Sequence, residues 1–255
     1  MIGIRRVNVH VVLAALGVLL APPSVAVASS GGSSLAPSLS PLPVSAGPST
    51  IAQPGNLTVS ASGDGITVTS LESAVLRNRL QFTGNVPASA AGQPVQIERL
   101  GRQTDWKWAI TVSATVGPDG SFSAGWQTNH IGRFSIRALV GAQTSAQPAA
   151  ASPTLTVTVY RPSLATQYGP GFYGQRTACG DALEPSTLGV ANRSLQCGMP
   201  VAIYYNGHTL VVPVIDRGPY ANGADWDLTE ATGRALGIEG TAMIGAVSLP
   251  SPPAR

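Results

Sequence analysis

The stretch 210–220, with the sequence LVVPVIDRGPY, constrains the fold more than any other part of the chain. Five of the six residues 210–215 are aliphatic, which is typical of a strand buried on both faces. The strand pattern stops at the DRGP sequence of 216–219, whose composition predicts a turn. A carboxylate at the end of a buried strand lies where the dielectric is low and a substrate still has access. Asp216 is therefore a candidate catalytic acid; the alternative is that its carboxylate only accepts turn hydrogen bonds or pairs with an arginine.

The composition favours strands over long helices. Charged residues make up only 11% of the 255 residues, while there are 29 glycines and 21 prolines. Such a balance disfavours long surface helices and favours β-structure, turns and linkers, with room for one large or two small domains. The chain has no basic run and no zinc-like spacing of Cys and His, so we expect no nucleic-acid partner, no metal and no cofactor.

Residues 1–28 have the three parts of a secretory signal peptide. Arg5 and Arg6 supply the positive charge, 11–21 the apolar run, and the AVA sequence at 26–28 the small residues before a cleavage site. A retained membrane anchor is the alternative, but a spanning helix needs about 20 apolar residues. The run is shorter and Pro22-Pro23 interrupts it, so we expect a cleaved signal, a secreted chain and no retained anchor.

Two further regions follow the signal peptide. Residues 29–56 are rich in Ser, Gly, Pro and Ala, which predicts a disordered linker. Between 57 and 160, short alternating segments recur between turn signals and predict an immunoglobulin-like β-sandwich. The predicted strands are 66–69, 80–83, 95–98, 108–116, 121–126, 134–140 and 155–160. The PDG sequence at 118–120 predicts a hairpin turn.

Three tryptophans in this region have two interpretations. Trp106, Trp108 and Trp126 could form a platform on which sugars stack, or could pack in the core. Because no catalytic group accompanies them, the region is interpreted as a spacer or a binding module.

The two cysteines of the chain, Cys179 and Cys197, predict a disulfide, because a lone pair in an exported protein is most simply oxidised. The bridge would close a loop of about 20 residues and contribute about 3 kcal/mol. A metal-binding pair and a reactive thiol are the alternatives, and no histidine near either cysteine supports them.

The last region contains one clear helix and several strands. Asp227 is predicted as the helix N-cap with Glu230 at the capping-box position, and Gly237 is predicted to end the helix. A second helical turn is predicted near 185–190. Strands are predicted at 201–205, 208–215 and 242–249, and Asn206-Gly207 predicts a tight hairpin between the first two.

Read together, these residues resemble the double-psi β-barrel domain of the rare lipoprotein A (RlpA) family. The matching segments are ATQYG at 165–169, TACG at 177–180, LGVANRSL at 188–195, VIDRGPY at 214–220 and DLT at 227–229. They cover 163–249 in the order found in the family, and the TACG segment also resembles expansin and barwin-type barrels. The resemblance implies a six-stranded barrel with one or two short helices at 163–250, in an all-β chain.

The resemblance also implies an exported enzyme that cleaves peptidoglycan glycan strands lacking stem peptides, as a lytic transglycosylase. In that lyase reaction one acid protonates the glycosidic oxygen and the C6 hydroxyl of the sugar closes a 1,6-anhydro ring. Hydrolysis would need a second carboxylate. Asp216 matches the key aspartate of the family, and Asp181 aligns with an acidic position that is often Glu. Asn192 stands where the family usually has His, and an amide cannot carry a proton at neutral pH.

The remaining candidates are substrate-binding residues. They are Asn192, Arg217, Tyr168 and Tyr220. Asn192 could instead fill a turn, Arg217 could pair with a nearby acid, and each tyrosine could lie in the core.

Two other functions stay open. One is a non-catalytic, expansin-like barrel that binds wall polysaccharide. The other is hydrolysis by Asp181 and Asp216, which would require their carboxyl groups to lie about 6.5–9.5 Å apart. In each case we expect a monomeric protein associated with the cell wall.

Overall fold

The computed structural model of this protein describes residues 57–141, 150–220 and 223–251, which are built almost entirely of β-strands. The all-β prediction is therefore confirmed. The predicted signal peptide at 1–28 and linker at 29–56 lie outside the described residues. In the described ranges, no helix is both long and apolar enough to cross a bilayer.

Nine strands precede the barrel in the described part of the chain. They are β1 (Thr58–Gly63), β2 (Ile66–Leu71), β3 (Ser73–Val75), β4 (Arg79–Asn85), β5 (Pro94–Leu100), β6 (Ala109–Thr115), β7 (Ser121–Gln127), β8 (Gly132–Val140) and β9 (Ala150–Ala151). The first six of the seven predicted segments correspond to strands of this group, whereas β1, β3 and β9 were not predicted. Two 3-10 turns, Ala88–Ala90 and Arg102–Thr104, flank β5.

These strands form two sheets around one core. The first sheet has the order β1-β2-β4-β7, and the second contains β6, β5 and β8. Leu80 and Phe82 from the first sheet and Ile97 and Phe134 from the second are fully buried in a common cluster. The immunoglobulin-like type of this arrangement stays a prediction.

The PDG sequence at 118–120 forms a turn, but the predicted hairpin is wrong. Gly120 donates from its backbone N–H to Gly117 O at 3.0 Å, so the local turn closes as expected. The strands on either side pair elsewhere, β6 with β5 and β7 with β4. The turn therefore carries the chain from one sheet to the other.

Six strands form the closed barrel in the remaining described part of the chain. They are β10 (Leu155–Tyr168), β11 (Val190–Ala191), β12 (Pro200–Tyr205), β13 (His208–Asp216), β14 (Trp226–Thr229) and β15 (Ala242–Ser248). Their order is β14-β11-β13-β12-β15-β10, and β10 pairs with β14 to close the ring. The predicted hairpin is confirmed, since Tyr205 pairs with His208 around Asn206-Gly207. Both turn residues have positive φ, 45° and 87°, as a two-residue hairpin requires.

The single α-helix of the described residues, α1 (Glu230–Leu236), begins differently from the prediction. Thr229 is its N-cap and accepts a hydrogen bond from Thr232 N, so the assignment of Asp227 as the cap is wrong. Asp227 lies in β14, because residues up to Thr229 are held in the barrel ladder. The end is as predicted, with Gly237 in the left-handed conformation at φ 71°. The predicted helical turn near 185–190 is a simple turn.

Strand β10 belongs to both parts of the described chain. Residues 155–159 pair with β8, 161–165 with β15 and 165–168 with β14, so the strand crosses the predicted domain boundary without a break. A small cluster packs where the two parts meet, with the Tyr160 and Tyr204 rings 5.7 Å apart. All described residues fall within one compact unit.

The predicted disulfide is confirmed. Cys179 and Cys197 are bonded, with their Cα atoms 5.7 Å apart and their positions separated by 18 in the sequence. The bridge joins the turn at 177–181 to the loop after β11. Cys179 N donates to Ile215 O at 3.2 Å, so the cross-linked loop lies against the end of β13.

Removing this bridge should lower stability. We expect the Cys179→Ser/Cys197→Ser double variant to lose about 3 kcal/mol of unfolding free energy, because its unfolded chain regains the entropy of the open loop. Urea unfolding of both proteins, with and without a reductant, measures this loss. Reductant should destabilise the parent chain and leave the variant unchanged; equal stability of the two oxidised samples would contradict the prediction.

Candidate active site

A β-bulge next to Asp216 decides where its carboxylate lies. Val190 of β11 pairs with Val214 of β13, but the next residue, Ala191, pairs with Asp216, so Ile215 is an extra residue on β13. Val190 and Val214 both face the barrel core. The extra residue reverses the alternation of β13, and Asp216 therefore shares the outer face with Ala191.

The bulge depends on a glycine in the neighbouring turn. A Cβ atom on Gly189 would lie 2.6 Å from both Cγ1 and Cδ1 of Ile215. The backbone at Gly189 cannot easily move away, because its N–H donates to Thr232 Oγ1 at 2.9 Å and its carbonyl accepts from the same hydroxyl at 3.0 Å. The absence of a side chain at 189 thus makes room for Ile215.

Backbone groups from two segments hold the Asp216 carboxylate. Its Oδ1 accepts hydrogen bonds from Ala178 N and from Arg217 N, each at 2.8 Å. Backbone N–H donors of this kind stabilise a negative charge on a carboxylate. Ala178 precedes the disulfide cysteine, so the cross-linked turn contributes directly to the position of Asp216. The side chain is only partly buried and stays within reach of solvent.

Asp227 lies on the same outer face as Asp216. Ala191 pairs with both aspartates, on its two neighbouring strands. Asp227 Oδ1 accepts a hydrogen bond from Thr166 Oγ1 at 2.9 Å. Burial raises the pKa of Asp227, and the negative charge of Asp216 adds to that rise while the Thr166 hydroxyl opposes it. The two carboxylates therefore lie on the two strands that flank β11.

Tyr168 completes this cluster. Burial raises the pKa of its phenol, and the charges of Asp216 and Asp227 raise it further, so the hydroxyl keeps its proton at neutral pH. The hydroxyl is buried without a hydrogen bond of regular geometry in the described part of the chain, although it lies close enough to Asp216 to interact with it. The Tyr168 and Phe172 rings meet edge to face at 6.4 Å, and Phe172 is 53% exposed.

Two predicted substrate-binding residues make structural contacts. Asn192 Oδ1 accepts hydrogen bonds from Ser194 N at 3.1 Å and Leu195 N at 3.0 Å, as in a side-chain turn, while its backbone N–H donates to Asp216 O at 3.1 Å. The Arg217 guanidinium donates to the carbonyls of Asn192 and Asp216, and contacts Cys197 Sγ at 3.2 Å. The alternative of an ion pair with an acid is wrong for Arg217 among the described residues.

The other candidates are on the surface. The Asp181 side chain is exposed in the turn that supports Asp216, where its backbone carbonyl accepts from Thr177 N at 2.8 Å. Tyr220 is 78% exposed, directly after the DRGP turn. Across the described ranges, no three side chains of His, Cys, Asp or Glu form a group that could hold a metal.

From the sequence, Asp227 was an alternative acid that the predicted helix cap already explained, so it was left out of the candidate site. The signal was available in the sequence WDLT at 226–229, where apolar and polar residues alternate as in a strand. Trp226 and Leu228 are buried in the barrel core, which leaves Asp227 on the outside with Asp216. The same residues also match a helix-capping motif, and this second match was preferred.

The contact at the bulge predicts a non-additive pair of substitutions. Gly189→Ala should destabilise the chain by about 1–3 kcal/mol, because the new methyl group overlaps Ile215 in a closely packed place. Adding Ile215→Ala should recover part of that loss. Denaturant unfolding of the four proteins of this cycle measures the coupling; strictly additive effects would contradict the contact.

The raised pKa of Asp227 predicts a pH-dependent effect of Asp227→Asn. The folded chain holds this proton more tightly than the unfolded chain, so the group lowers stability as pH rises from the ordinary aspartate value of about 3.9 through the folded value. Asparagine removes that loss and can still accept from Thr166. The melting temperature of the variant relative to the parent should therefore rise between about pH 3 and pH 7; a difference that does not change with pH would refute this.

Comparison with known proteins relates the barrel to peptidoglycan enzymes. A protein of Synechocystis sp. named "Probable endolytic peptidoglycan transglycosylase RlpA" is 38% identical over 96 residues, which are 37% of this chain and 30% of that protein. The "Endolytic peptidoglycan transglycosylase RlpA" of Yersinia pestis is 35% identical over 83 residues, 32% of this chain and 23% of that protein. This chain thus spans less than a third of the length of either relative.

Two further comparisons, with family models and with solved structures, add no support. No family model matches the chain. Among solved structures, Streptomyces papain inhibitor (SPI) is 25% identical and aligns over 35% of this chain and 93% of that chain, with a TM-score of 0.29, too low to support a shared fold or function. With a closed six-stranded ring in the structure and 31–38% identity to several RlpA proteins, the region 163–249 is an RlpA-like double-psi β-barrel.

Proposed function

We propose that the barrel cleaves peptidoglycan glycan strands as a lytic transglycosylase. The observation that carries the proposal is the placement of Asp216 on the outer barrel face beside Asp227 and Tyr168. The names of the relatives support the same substrate. Since the chain spans only part of those relatives, the activity and the substrate are proposed for this protein on the strength of its own site.

The reaction needs one proton delivered and one removed. A carboxylic acid gives its proton to the glycosidic oxygen as the bond from C1 to that oxygen breaks. The C6 hydroxyl oxygen of the same sugar bonds to C1, and its proton passes to the carboxylate. The products are a 1,6-anhydro sugar end and a new hydroxyl on the departing strand, and no water is consumed. A single acid that then acts as base is sufficient, unlike in hydrolysis.

Asp216 is proposed as this acid and base. Asp227 is proposed as the second carboxylate near it, and burial raises the pKa of this group. The Tyr168 phenol, which keeps its proton, would donate a hydrogen bond to the Asp216 carboxylate after that group has given its proton to the glycosidic oxygen.

The remaining predicted residues take supporting roles in the proposal. Asp181 would assist electrostatically from the turn that supports Asp216. Asn192 and Arg217 would bind the glycan through the side-chain N–H groups that their structural contacts do not use. Tyr168 and Tyr220 would stack their rings on sugars.

A binding module is the second candidate function. It is favoured by one observation, since the Asn192 amide oxygen is engaged by two backbone N–H groups and cannot move a proton. In this alternative the barrel binds peptidoglycan or a related wall polysaccharide without cleaving it, as in expansin-like proteins.

We place this function outside the cytoplasm, at the cell wall, in a monomeric protein. The composition of 1–28 supports export, that of 29–56 supports a tether, and the disulfide supports an oxidising compartment. The N-terminal sheets, taken as immunoglobulin-like, would hold the barrel away from its tether.

A digest of peptide-free peptidoglycan tests the proposal. The parent chain should release 1,6-anhydromuramoyl ends, and Asp216→Asn should lower their rate of formation by a factor of about 100 or more. Asp227→Asn should also lower it, whereas Asp119→Asn makes the same chemical change in a turn outside the barrel and should have no effect. New reducing ends would show a hydrolase. If the protein is retained on the glycan without cleaving it, the binding module is the correct function.

A further inference from the structure

A cavity of about 300 Å³ lies where the N-terminal sheets meet the barrel, away from the aspartates. The turn at 101–106 forms one wall, with Arg102 and Trp106 among its lining residues. Arg133 of β8 and Thr156 of β10 form another, and residues 247–250 at the end of β15 close the third side. The proposed catalytic cluster uses none of these residues.

The wall that carries Trp106 is held in an unusual backbone conformation. Asp105 and Trp106 are consecutive non-glycine residues with positive φ, 50° and 56°. Left-handed geometry is unfavourable for a bulky side chain and persists only where surrounding contacts impose it. Here Trp106 N donates to Gly101 O at 3.0 Å, and Gln103 Nε2 donates to Ile131 O at 2.6 Å. These bonds fix the backbone of the turn from which the Trp106 side chain lines the cavity.

The other tryptophans of this region have different surroundings. Trp126 is buried in the core and its indole N–H donates to Asn129 at 3.2 Å. Trp108 lies under the Arg137 guanidinium at 4.3 Å from its ring centre. Of the three candidates for a sugar-stacking ring, Trp106 is therefore the one that lines the cavity.

The cavity is positively charged. Arg102 and Arg133 are in its lining, and no acidic residue is. Neither arginine belongs to an ion pair within the described residues, where the salt bridge found is between Arg137 and Glu98. An aromatic face beside two uncompensated guanidinium groups suits a ring-shaped ligand with a carboxylate, because guanidinium binds carboxylate through paired hydrogen bonds.

A second cavity of about 280 Å³ continues from the first towards the aspartates. The two share Ile131, Val247 and Ser248 in their linings. The second adds Arg161 and Arg193, and ends at Asn192. Its one acidic lining residue, Asp225, accepts a hydrogen bond from Leu164 N at 3.1 Å. Because Asn192 N donates to Asp216 O at 3.1 Å, this cavity reaches the edge of the catalytic cluster.

We propose that the two cavities form one groove that binds a glycan strand through the carboxylates of its sugars. We call it the junction groove, defined by Trp106, Arg102, Arg133, Arg161 and Arg193. Muramic acid exposes a free lactyl carboxylate when its stem peptide is absent, so a peptide-free strand presents negative charges at a regular interval. Trp106 stacks on a sugar ring and the arginines bind the carboxylates. Arg193 does so with the N–H groups that its bonds to the carbonyls of Pro219 and Ala224 leave over. The choice of ligand rests on the function proposed for the barrel, but the groove itself does not need catalysis.

Binding measurements on a non-cleaving chain test this site. The full chain carrying Asp216→Asn is titrated with a peptide-free hexasaccharide of alternating N-acetylglucosamine and N-acetylmuramic acid. A chitin hexasaccharide, which has a related backbone without the lactyl carboxylates, is the matched ligand. We expect the charged ligand to bind more tightly than the chitin ligand. The Arg102→Gln/Arg133→Gln variant should raise the Kd of the charged ligand by about tenfold or more and change that of the chitin ligand little.

Controls separate the groove from general effects. Arg79→Gln removes an exposed arginine of the first sheet and should leave both Kd values unchanged. Trp106→Ala should weaken binding, and Trp106→Phe should restore part of it, since a ring is kept. Equal affinity for the two ligands, or an unchanged Kd in the double arginine variant, would overturn the proposal. Absence of anhydro products from the parent chain, with charge-selective binding intact, would refute the proposed cleavage and leave the groove standing.

Discussion

Strand β10 is the constraint on which the rest of this structure depends. Its 14 residues are hydrogen-bonded to β8 along the first part and to β15 and β14 along the second, so one continuous backbone fixes the registers of both halves. Thr156 in the junction cavity and Thr166 in the aspartate cluster lie on this strand, ten positions apart. Since a strand rises by about 3.3 Å per residue, the two places are held about 30 Å apart along it.

The site on the outer barrel face depends on a second, smaller constraint. Without the extra residue at Ile215, the alternation of β13 would place Asp216 with Val214 in the barrel core, where a carboxylate would be costly to bury. Because the bulge turns Asp216 outwards, two backbone N–H groups can bind its Oδ1 while the side chain keeps contact with solvent. The space that Gly189 leaves and the loop that the disulfide holds are both used to place this one carboxylate.

Patterns within a few residues were predicted well, and pairings between distant residues were not. The hairpin at Asn206-Gly207, the strand before Asp216 and the helix end at Gly237 follow from local chemistry. Strand β14 takes its form from β10, about sixty positions earlier, and from β11, so a capping pattern in the sequence could not reveal that Asp227 is held in a sheet. Likewise, β11 is two residues long and leaves almost no periodic signal.

The asparagine at position 192, where the family resemblance predicts a histidine, has structural contacts of its own. A histidine at this position would bring a second titrating group next to Asp216, whereas the asparagine gives its amide oxygen to the following turn and its backbone N–H to the end of β13. The titratable groups of the candidate site are then two aspartates, Asp216 and Asp227, and the Tyr168 phenol, which keeps its proton. Burial raises the pKa of Asp227 and the negative charge of Asp216 adds to that rise, against the opposing hydrogen bond from Thr166. In the proposed reaction Asp216 alone would then give and take the proton, and Asp227, whose pKa is raised chiefly by desolvation, would be the second carboxylate near it.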